Sequence, residues 1–267
     1  MIHALKRTVK GAFRSVGLEV TRAGPPITDY QAQLARQGIT MNVIDFDKEF
    51  FPIAEEVRQY TMTSIERMYG LYKAVEYIVK AQVPGDIVEC GVWRGGSMML
   101  VAKTLLAFND TSRILKLFDT FEGHPKPDPD NDVDLYGNRA VEEWEQYRKT
   151  DESSSWAYAA EEDVQRNMAS TGYPNDKIVL VKGMVENTAA ANAPSTLSLV
   201  RLDTDWYASA KVELETFWPR LSRRGIMIVD DYGHYPSQRR AVEEYFASTP
   251  VMLHRVDYSC RCIVKTD

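Results

Sequence analysis

Two short acidic clusters follow apolar stretches that are typical of buried strands. LSLVRLDTDWY runs from an apolar segment into Asp203 and Asp205, and GIMIVDDYGH ends in the same way on Asp230 and Asp231. Because side chains two apart on a strand share a face, we expect Asp203 and Asp205 to lie side by side. If the two strands are neighbours, three or four carboxylates converge and cannot all stay ionised unpaired. A hard divalent cation such as Mg²⁺ would stabilise them.

Simpler roles for these aspartates stay open. Lys211, Arg201 or Arg239 could pair with them, or they could simply form turns. A metal-dependent phosphohydrolase would also use such carboxylates, but it would need basic clamps for phosphate. Arg201 and Arg239 are too few for that chemistry.

A glycine-rich turn, VECGVWRGGS, joins another apolar strand to a helix. Gly91 permits a tight turn, Ser97 can cap the helix, and Trp93 stands where a dinucleotide fingerprint would need its second glycine. Asp119 ends the next strand, where an acid can accept hydrogen bonds from two ribose hydroxyls. Glu89 could meet an ammonium group or cap a buried backbone donor. These residues favour an adenosine-bearing ligand without a pyrophosphate; a plain strand-to-helix turn is the alternative.

Two histidines, His124 and His234, follow strand ends in loops that contain glycine. Either could touch a substrate, and a surface position is the alternative for both. We count His234 among the catalytic candidates.

The elements that must position these residues alternate between strand and helix. Apolar runs predict strands at DIVEC, RILKLFDT, KIVLVKG, LSLVRLD and GIMIVDD. Helical spacing recurs in TMTSIERMYGLYKAVEYIVKA, SMMLVAKTLLAF, SAKVELETFWPRL and SQRRAVEEYFA. A polar insertion with two helical stretches spans residues 122–176, and VMLHRVDYSCRCIVKT predicts a closing hairpin. This pattern predicts an α/β fold with a mostly parallel sheet, whose ligands bind at the carboxyl ends of the strands.

Composition excludes several classes of function. The net charge of −6 argues against nucleic acid as a partner. No run of 18 apolar residues is long enough to span a membrane. The three cysteines show no disulfide framework, and Cys260 and Cys262 lack the neighbours of a zinc site. We therefore expect a reducing, cytoplasmic setting.

The N-terminal segment has the sequence pattern of a basic amphipathic helix. Residues 1–22 carry five lysines and arginines against one glutamate, with apolar residues at helical spacing. Such a helix could contact the inner face of a membrane peripherally, but we favour packing on its own domain or on a second subunit. We expect a helical extension over residues 1–58, acting as a lid or in a homo-oligomer, and one domain over residues 59–267.

Several blocks together resemble the macrocin-type (TylF/MycF) O-methyltransferases, which use S-adenosylmethionine and Mg²⁺ to methylate sugar hydroxyls. The blocks run from about Tyr60 to Phe246 and are YTMTSIERMYGLYKAV, GDIVECGVWRGGS, LFDTFEG, STGYP, GMVENT, LDTDWYASAKVELETFWPRL and GIMIVDDYGH. The resemblance implies a class I methyltransferase-like (Rossmann-like) fold. Its seven-stranded, mostly parallel sheet would end in an antiparallel hairpin and carry helices on both faces.

The resemblance also assigns roles to residues of this chain. It implies that Asp203, Asp230 and Asp231 are metal ligands and that Asp205 is the general base. The residues that it assigns to S-adenosylmethionine are Thr61, Met62, Thr63, Glu89, Gly91, Trp93, Arg94, Gly95, Ser97, Asp119, Gly183 and Met184.

Taken together, these residues and the resemblance predict a Mg²⁺-assisted, S-adenosylmethionine-dependent O-methyltransferase. Its acceptor would be one hydroxyl of a vicinal diol, on a sugar of a natural-product glycoside or glycan. Mg²⁺ lowers the pKa of a coordinated hydroxyl, and a nearby carboxylate can take its proton. A catechol or other phenolic acceptor is the alternative within this class. A non-catalytic adenosyl-binding scaffold in glycan assembly is the alternative outside it, and the clustered aspartates argue against it.

Overall fold

Five parallel strands and a C-terminal hairpin form one sheet in the computed structural model, which describes residues 45–266. The strands are β1 (Asp86–Cys90), β2 (Leu115–Asp119), β3 (Ile178–Lys182), β4 (Leu197–Leu202), β5 (Leu221–Val229), β6 (His254–Arg255) and β7 (Arg261–Val264). Their order across the sheet is β3-β2-β1-β4-β5-β7-β6. Strand β7 pairs antiparallel with both β5 and β6, whereas the other pairs are parallel. The predicted fold class, including the hairpin, is confirmed.

Helices cover both faces of the sheet. Within the described part of the chain they are α1 (Phe50–Val57), α2 (Ile65–Lys80), α3 (Gly96–Ala107), α4 (Ala140–Tyr147), α5 (Glu161–Ala169), α6 (Val185–Asn192), α7 (Tyr207–Phe217) and α8 (Pro236–Tyr245). Helices α4 and α5 belong to the predicted insertion. All six residues of β4 are buried, as expected for the central strand of a sheet that is covered on both sides.

Helix α2 begins at Ile65, the first apolar residue of its pattern and four residues after the start of the segment predicted as helical. Ser64 is the N-cap, and its side chain accepts a hydrogen bond from the backbone N–H of Arg67 at 3.1 Å. Just before it, the Thr63 N–H donates to Thr61 Oγ1 at 3.2 Å, a local bond that competes with helix formation. The segment from Thr61 to Thr63 is therefore free to line the cavity described below.

Helix α6 has no counterpart among the predicted elements, and helix α1 lies in the part of the chain predicted only as a helical extension, residues 1–58. Helix α6 is the crossover that joins the parallel strands β3 and β4, which a short turn could not connect. Its sequence, VENTAAAN, carries threonine and asparagine and no apolar periodicity, so the pattern does not predict it. Helix α1 packs on the rest of the domain through Phe50 and Val57, both fully buried.

The compact unit that contains the sheet begins at Asp47. Residues 1–44 lie outside the described residues, and so does the predicted basic helix over residues 1–22. The division into a helical extension and a separate domain therefore stays a prediction. Among the helices that the structure describes, none is both long and apolar enough to cross a membrane.

Candidate active site

A cavity of about 330 Å³ opens at the carboxyl ends of the parallel strands. Its walls come from the segments that follow all five parallel strands, and from Tyr60 to Thr63. Strands β1 and β4 are adjacent, and chain connections run outward from them in opposite directions. The cavity therefore lies at the switch point of the sheet, where α/β folds bind their ligands.

The glycine turn after β1 forms one end of the cavity and is tightly packed. Gly91 has a φ of +78°, and a Cβ there would overlap the carbonyl oxygen of Asp203. A side chain would thus push the glycine turn away from the acidic segment after β4. Gly91, Trp93 and Ser97 line the cavity, as do Gly183 and Met184 from the other side.

Asp119 organises this turn from the end of β2. Its Oδ2 accepts hydrogen bonds from the N–H groups of Val92 (2.7 Å) and Trp93 (3.2 Å), and its Oδ1 accepts one from Phe121 (2.7 Å). Burial nevertheless raises the pKa of this carboxyl. Asp119 lines the cavity, and with three backbone donors already bound it keeps at most one lone pair, on Oδ1, for a ribose hydroxyl.

The segment from Thr61 to Thr63 lines the cavity as predicted, with Met62 69% exposed at its rim. Three other residues assigned to the cofactor do not line the cavity. Arg94 donates to the Gln59 carbonyl at 3.0 Å, Gly95 is the N-cap of α3, and Glu89 is buried in an ion pair. These three support the cavity in this structure without facing it.

Three carboxylates face one another elsewhere on the cavity wall. Asp203, Asp205 and Asp231 each offer an oxygen, and these oxygens lie within 4.8 Å of one another. Burial, reinforced by the neighbouring negative charges, raises the pKa of Asp203 to about 6 and that of Asp205 to about 8. The pKa of Asp231 is raised for the same reasons. Close oxygen donors in mutual repulsion, one buried and two half-buried, fit a hard divalent cation.

The proximity of Asp203 and Asp205 has a different cause from the one predicted. Strand β4 ends at Leu202, so the two residues do not alternate along a strand. Instead the chain turns after Thr204, and Asp205 adopts a φ of +69°, a left-handed conformation that aspartate tolerates better than most residues. The turn, rather than the strand, brings the carboxylates together.

Asp230 is paired with two arginines instead of facing the other carboxylates. Its Oδ2 lies 2.5 Å from Arg67 Nη1, and its Oδ1 lies 2.8 Å from Arg201 Nη2. Arg201 also holds Glu89 at 2.5 Å and Asp203 at 2.7 Å. Of the three predicted ligands, Asp203 and Asp231 therefore face the candidate cation position in this structure, with Asp205 as the third carboxylate.

One of the two arginine partners of Asp230 could be identified from the sequence, and the other could not. Arg201 is one of the three cations considered above, and it forms the pairs, whereas Arg239 donates to the Tyr232 carbonyl. Arg67 lies on α2, 163 residues from Asp230, and no local pattern marks it. Its guanidinium also donates to Asp257 at 2.7 Å, which ties α2 to the loop before β7.

The two histidines lie on the cavity wall in different surroundings. His124 Nε2 is 3.2 Å from Asp205 Oδ2, and burial lowers the pKa of this imidazole to about 4. His234 stacks edge-on against Tyr235, with its Nδ1 3.4 Å from the Tyr258 hydroxyl, and burial lowers its pKa as well. Their positions in glycine-containing loops identified both histidines as candidates in the sequence. The pairing of His124 with Asp205 is visible only in the folded structure.

Comparison with known proteins identifies relatives for most of the chain. The profile of the family described as macrocin-O-methyltransferase (TylF) matches residues 32–263. A tetracenomycin-C 4'-O-methyltransferase of Streptomyces olivaceus, named for its dimethoxyrhamnosyl substrate, is 34% identical over 70% of this chain and 67% of its own. The mycinamicin III 3''-O-methyltransferase of Micromonospora griseorubida is 34% identical over 70% of each chain.

Solved structures show the same architecture. The O-methyltransferase NovP has a TM-score of 0.69 at 30% identity, covering 78% of this chain and 83% of its own. The calicheamicin methyltransferase CalS11, at 18% identity and a TM-score of 0.58, shares the fold over 93% of this chain and all of its own.

Proposed function

This chain belongs to the macrocin-O-methyltransferase (TylF) family of S-adenosylmethionine-dependent enzymes, and from that premise we propose that it methylates a sugar hydroxyl with the help of Mg²⁺. The acceptor hydroxyl would belong to a vicinal diol on a natural-product glycoside or glycan. Asp203 and Asp231 would bind the cation, and Asp205 would be the general base.

One arrangement carries this proposal: a nucleoside-type end and an acidic end share one cavity. The glycine turn and Asp119 form the first end, and the carboxylates of Asp203, Asp205 and Asp231 form the second. A methyl donor at the first end would face an acceptor hydroxyl at the second. Such positioning is the main contribution that an enzyme makes to methyl transfer between two bound molecules.

The residues at the acidic end supply what a sugar hydroxyl lacks. When bound, Mg²⁺ would lower the pKa of a coordinated hydroxyl, and S-adenosylmethionine would supply an electrophilic methyl group. Asp205 lies beside the other two carboxylates and on the cavity wall, so it is placed to accept the hydroxyl proton. Asp203 is held by Arg201, which limits how far the cluster can rearrange.

The walls around the acidic end favour a polyhydroxylated acceptor over a flat phenol. A second cavity of about 310 Å³ shares Trp156, His234 and Tyr235 with the first. Its remaining walls are mostly polar and include Asn138 and Gln146. Aromatic faces combined with amide groups match the apolar and hydroxyl faces of a sugar ring. The names of the relatives above, which specify sugar positions, support the same choice.

Methyl transfer to matched acceptors tests the proposal. The protein would be incubated with S-adenosylmethionine and Mg²⁺, together with simple glycosides that carry vicinal diols and, in parallel, with catechols. We expect mass spectrometry to detect one added methyl group on a glycoside, and no product from the Asp205→Asn variant. Methylation of catechols alone would refute the sugar acceptor. No product from any acceptor, despite tight binding of S-adenosylhomocysteine, would favour the scaffold.

A further inference from the structure

Asp205 is in contact with an imidazole that the proposed function leaves without a role. His124 Nε2 lies 3.2 Å from Asp205 Oδ2, and the two side chains are only 17% and 11% exposed. We propose that His124 is a positioning residue: it donates its Nε2–H to Oδ2 and leaves Oδ1 to take the acceptor proton. This inference rests on the proposed function, in which Asp205 is the base.

The backbone of His124 is anchored on both sides. Its N–H donates to the Trp156 carbonyl at 2.9 Å, and its own carbonyl accepts from Trp144 Nε1 at 2.8 Å and from Ser154 Oγ at 3.0 Å. Trp144 lies on helix α4, and Ser154 and Trp156 follow that helix. The insertion thus holds the loop after β2 in place, so the Cα of His124 is fixed relative to the cavity.

The ring of His124 is confined as well. Its centroid lies 4.9 Å from that of Trp156 and 5.4 Å from that of Trp206. Trp206 is the residue directly after Asp205 and is itself buried. The imidazole packs beside both indoles, whose centroids are themselves 6.0 Å apart, and it cannot change rotamer without displacing one of them. The imidazole therefore presents Nε2 to Asp205 in a defined direction.

The chemistry of the pair sets the direction of the hydrogen bond. A base must be ionised, and an ionised carboxylate only accepts hydrogen bonds. A neutral imidazole carries one N–H, so the contact requires that proton to be on Nε2. A donor on Oδ2 fixes the plane of the carboxylate, as the outer partners of catalytic groups do in other enzymes.

The proton balance of the step involves Asp205 alone. The acceptor O–H proton moves to Oδ1 of Asp205, the acceptor oxygen bonds to the methyl carbon, and the carbon–sulfur bond breaks with its electron pair left on sulfur. His124 gains and loses no proton. Its contribution is the orientation of the carboxylate, which should influence turnover more than acceptor binding.

Two substitutions separate this role from simple packing. His124→Phe keeps a ring against the two indoles but removes the donor. His124→Gln keeps an N–H near the position of Nε2 but removes the ring. We expect His124→Phe to lower kcat by about 10- to 100-fold with KM for the acceptor within about threefold, and His124→Gln to restore kcat to within about threefold of the unsubstituted enzyme. Affinity for S-adenosylhomocysteine should stay the same in both, which shows that the fold is intact.

Either of two turnover results overturns the proposal. Full activity in His124→Phe would show that the donor is unnecessary. A loss in His124→Gln as large as in His124→Phe would show that the ring matters only through its packing.

The tautomer of His124 gives a readout that does not depend on turnover. The chain has four histidines, so His124→Gln identifies the imidazole nitrogen signals of His124 in a nitrogen-15 spectrum. In alkaline buffer with S-adenosylhomocysteine and Mg²⁺ present, we expect His124 to carry its proton on Nε2. In Asp205→Ala, we expect this preference for the Nε2–H tautomer to disappear. A dominant Nδ1–H tautomer overturns the proposal. If the enzyme methylates no sugar, the proposed function fails, and the tautomer alone then decides for or against the role of His124.

Discussion

Asp230 and Asp231 are neighbours in the chain but lie in opposite electrostatic surroundings. Asp230 contacts the guanidinium groups of Arg67 and Arg201, whereas Asp231 faces the carboxylates of Asp203 and Asp205. Both residues lie beyond Val229, the last residue of β5, in the turn that leads to α8, so strand alternation does not set their directions. Asp230 is thus neutralised by two arginines, whereas Asp231 forms no ion pair with a basic side chain among the described residues.

Matched substitutions of these two aspartates should therefore have opposite effects on stability. Asp230→Asn leaves two buried guanidinium groups short of a counter-charge, and we expect it to lower the free energy of unfolding by about 3 kcal/mol or more. Asp231→Asn removes one of three mutually repelling carboxylates and should leave stability unchanged or increase it. Urea unfolding in the presence of EDTA measures both. Equal losses in the two variants would contradict this electrostatic division.

Asp205→Asn should separate catalysis from binding. Asparagine is isosteric and tolerates the left-handed backbone at this position, so the fold should be retained. We expect methyl transfer to fall by about 10²- to 10⁴-fold because the variant cannot take a proton. Calorimetry should find the affinity for S-adenosylhomocysteine within about twofold of the unsubstituted protein. Turnover near the original rate would exclude Asp205 as the base.

Two glycines with similar backbone angles should respond differently to alanine. Gly91 and Gly172 have φ values of +78° and +80°, so alanine is strained by about 1–2 kcal/mol at either position. At Gly172 a Cβ meets nothing within 4 Å, whereas at Gly91 it overlaps the Asp203 carbonyl oxygen. We expect Gly91→Ala to lose stability and S-adenosylhomocysteine affinity together, and Gly172→Ala to show the smaller stability loss alone. Unchanged nucleoside affinity in Gly91→Ala would mean that the turn does not shape the cavity.

A buried glutamate should make stability depend on pH. Glu213 on α7 is fully buried, with its Oε1 accepting from Thr204 Oγ1 at 2.9 Å, and burial raises its pKa to about 8. Between its ordinary pKa and this value, the folded protein retains a proton that the unfolded chain releases. Its contribution to the free energy of unfolding is therefore present at low pH and is lost as pH rises towards 8, by about 1 kcal/mol per unit.

Glu213→Gln should remove this dependence. We expect the variant to be more stable than the unsubstituted protein at pH 8 and to lose that advantage at pH 5, as measured by urea unfolding. Glu215→Gln, an exposed change on the same helix, is the control and should leave the pH profile unchanged. A variant that matches the unsubstituted protein at both pH values would show that Glu213 is ionised in the folded state.

The sequence predicts the parts of this molecule that depend on local pattern. Apolar runs placed all five parallel strands and the hairpin, and the polar residues at their ends marked the rim where the cavity lies. Helix α6 escaped prediction because topology, rather than apolar spacing, requires it. The turn at Asp205 was not predicted because residue type alone does not determine its backbone angle.

Contacts between distant elements could not be predicted in the same way. The pairing of Asp230 with Arg67 joins residues 163 positions apart, and the contact of His124 with Asp205 joins two loops. Judged by their sequence neighbours, Arg67 and Arg201 could equally have been solvent-exposed residues of a helix and a strand. Residue types therefore predicted an acidic cluster at this edge of the sheet, but not which aspartates form it.

The binding of Mg²⁺ tests the central claim most directly. Calorimetry would titrate Mg²⁺ into the complex with S-adenosylhomocysteine, for the unsubstituted protein and for Asp231→Asn, with and without a glycoside that the enzyme methylates. We expect saturable binding to the unsubstituted protein, strengthened by the glycoside, and none to Asp231→Asn. Methyl transfer that persists undiminished in EDTA, together with no Mg²⁺ binding under either condition, would contradict metal-assisted catalysis at this site.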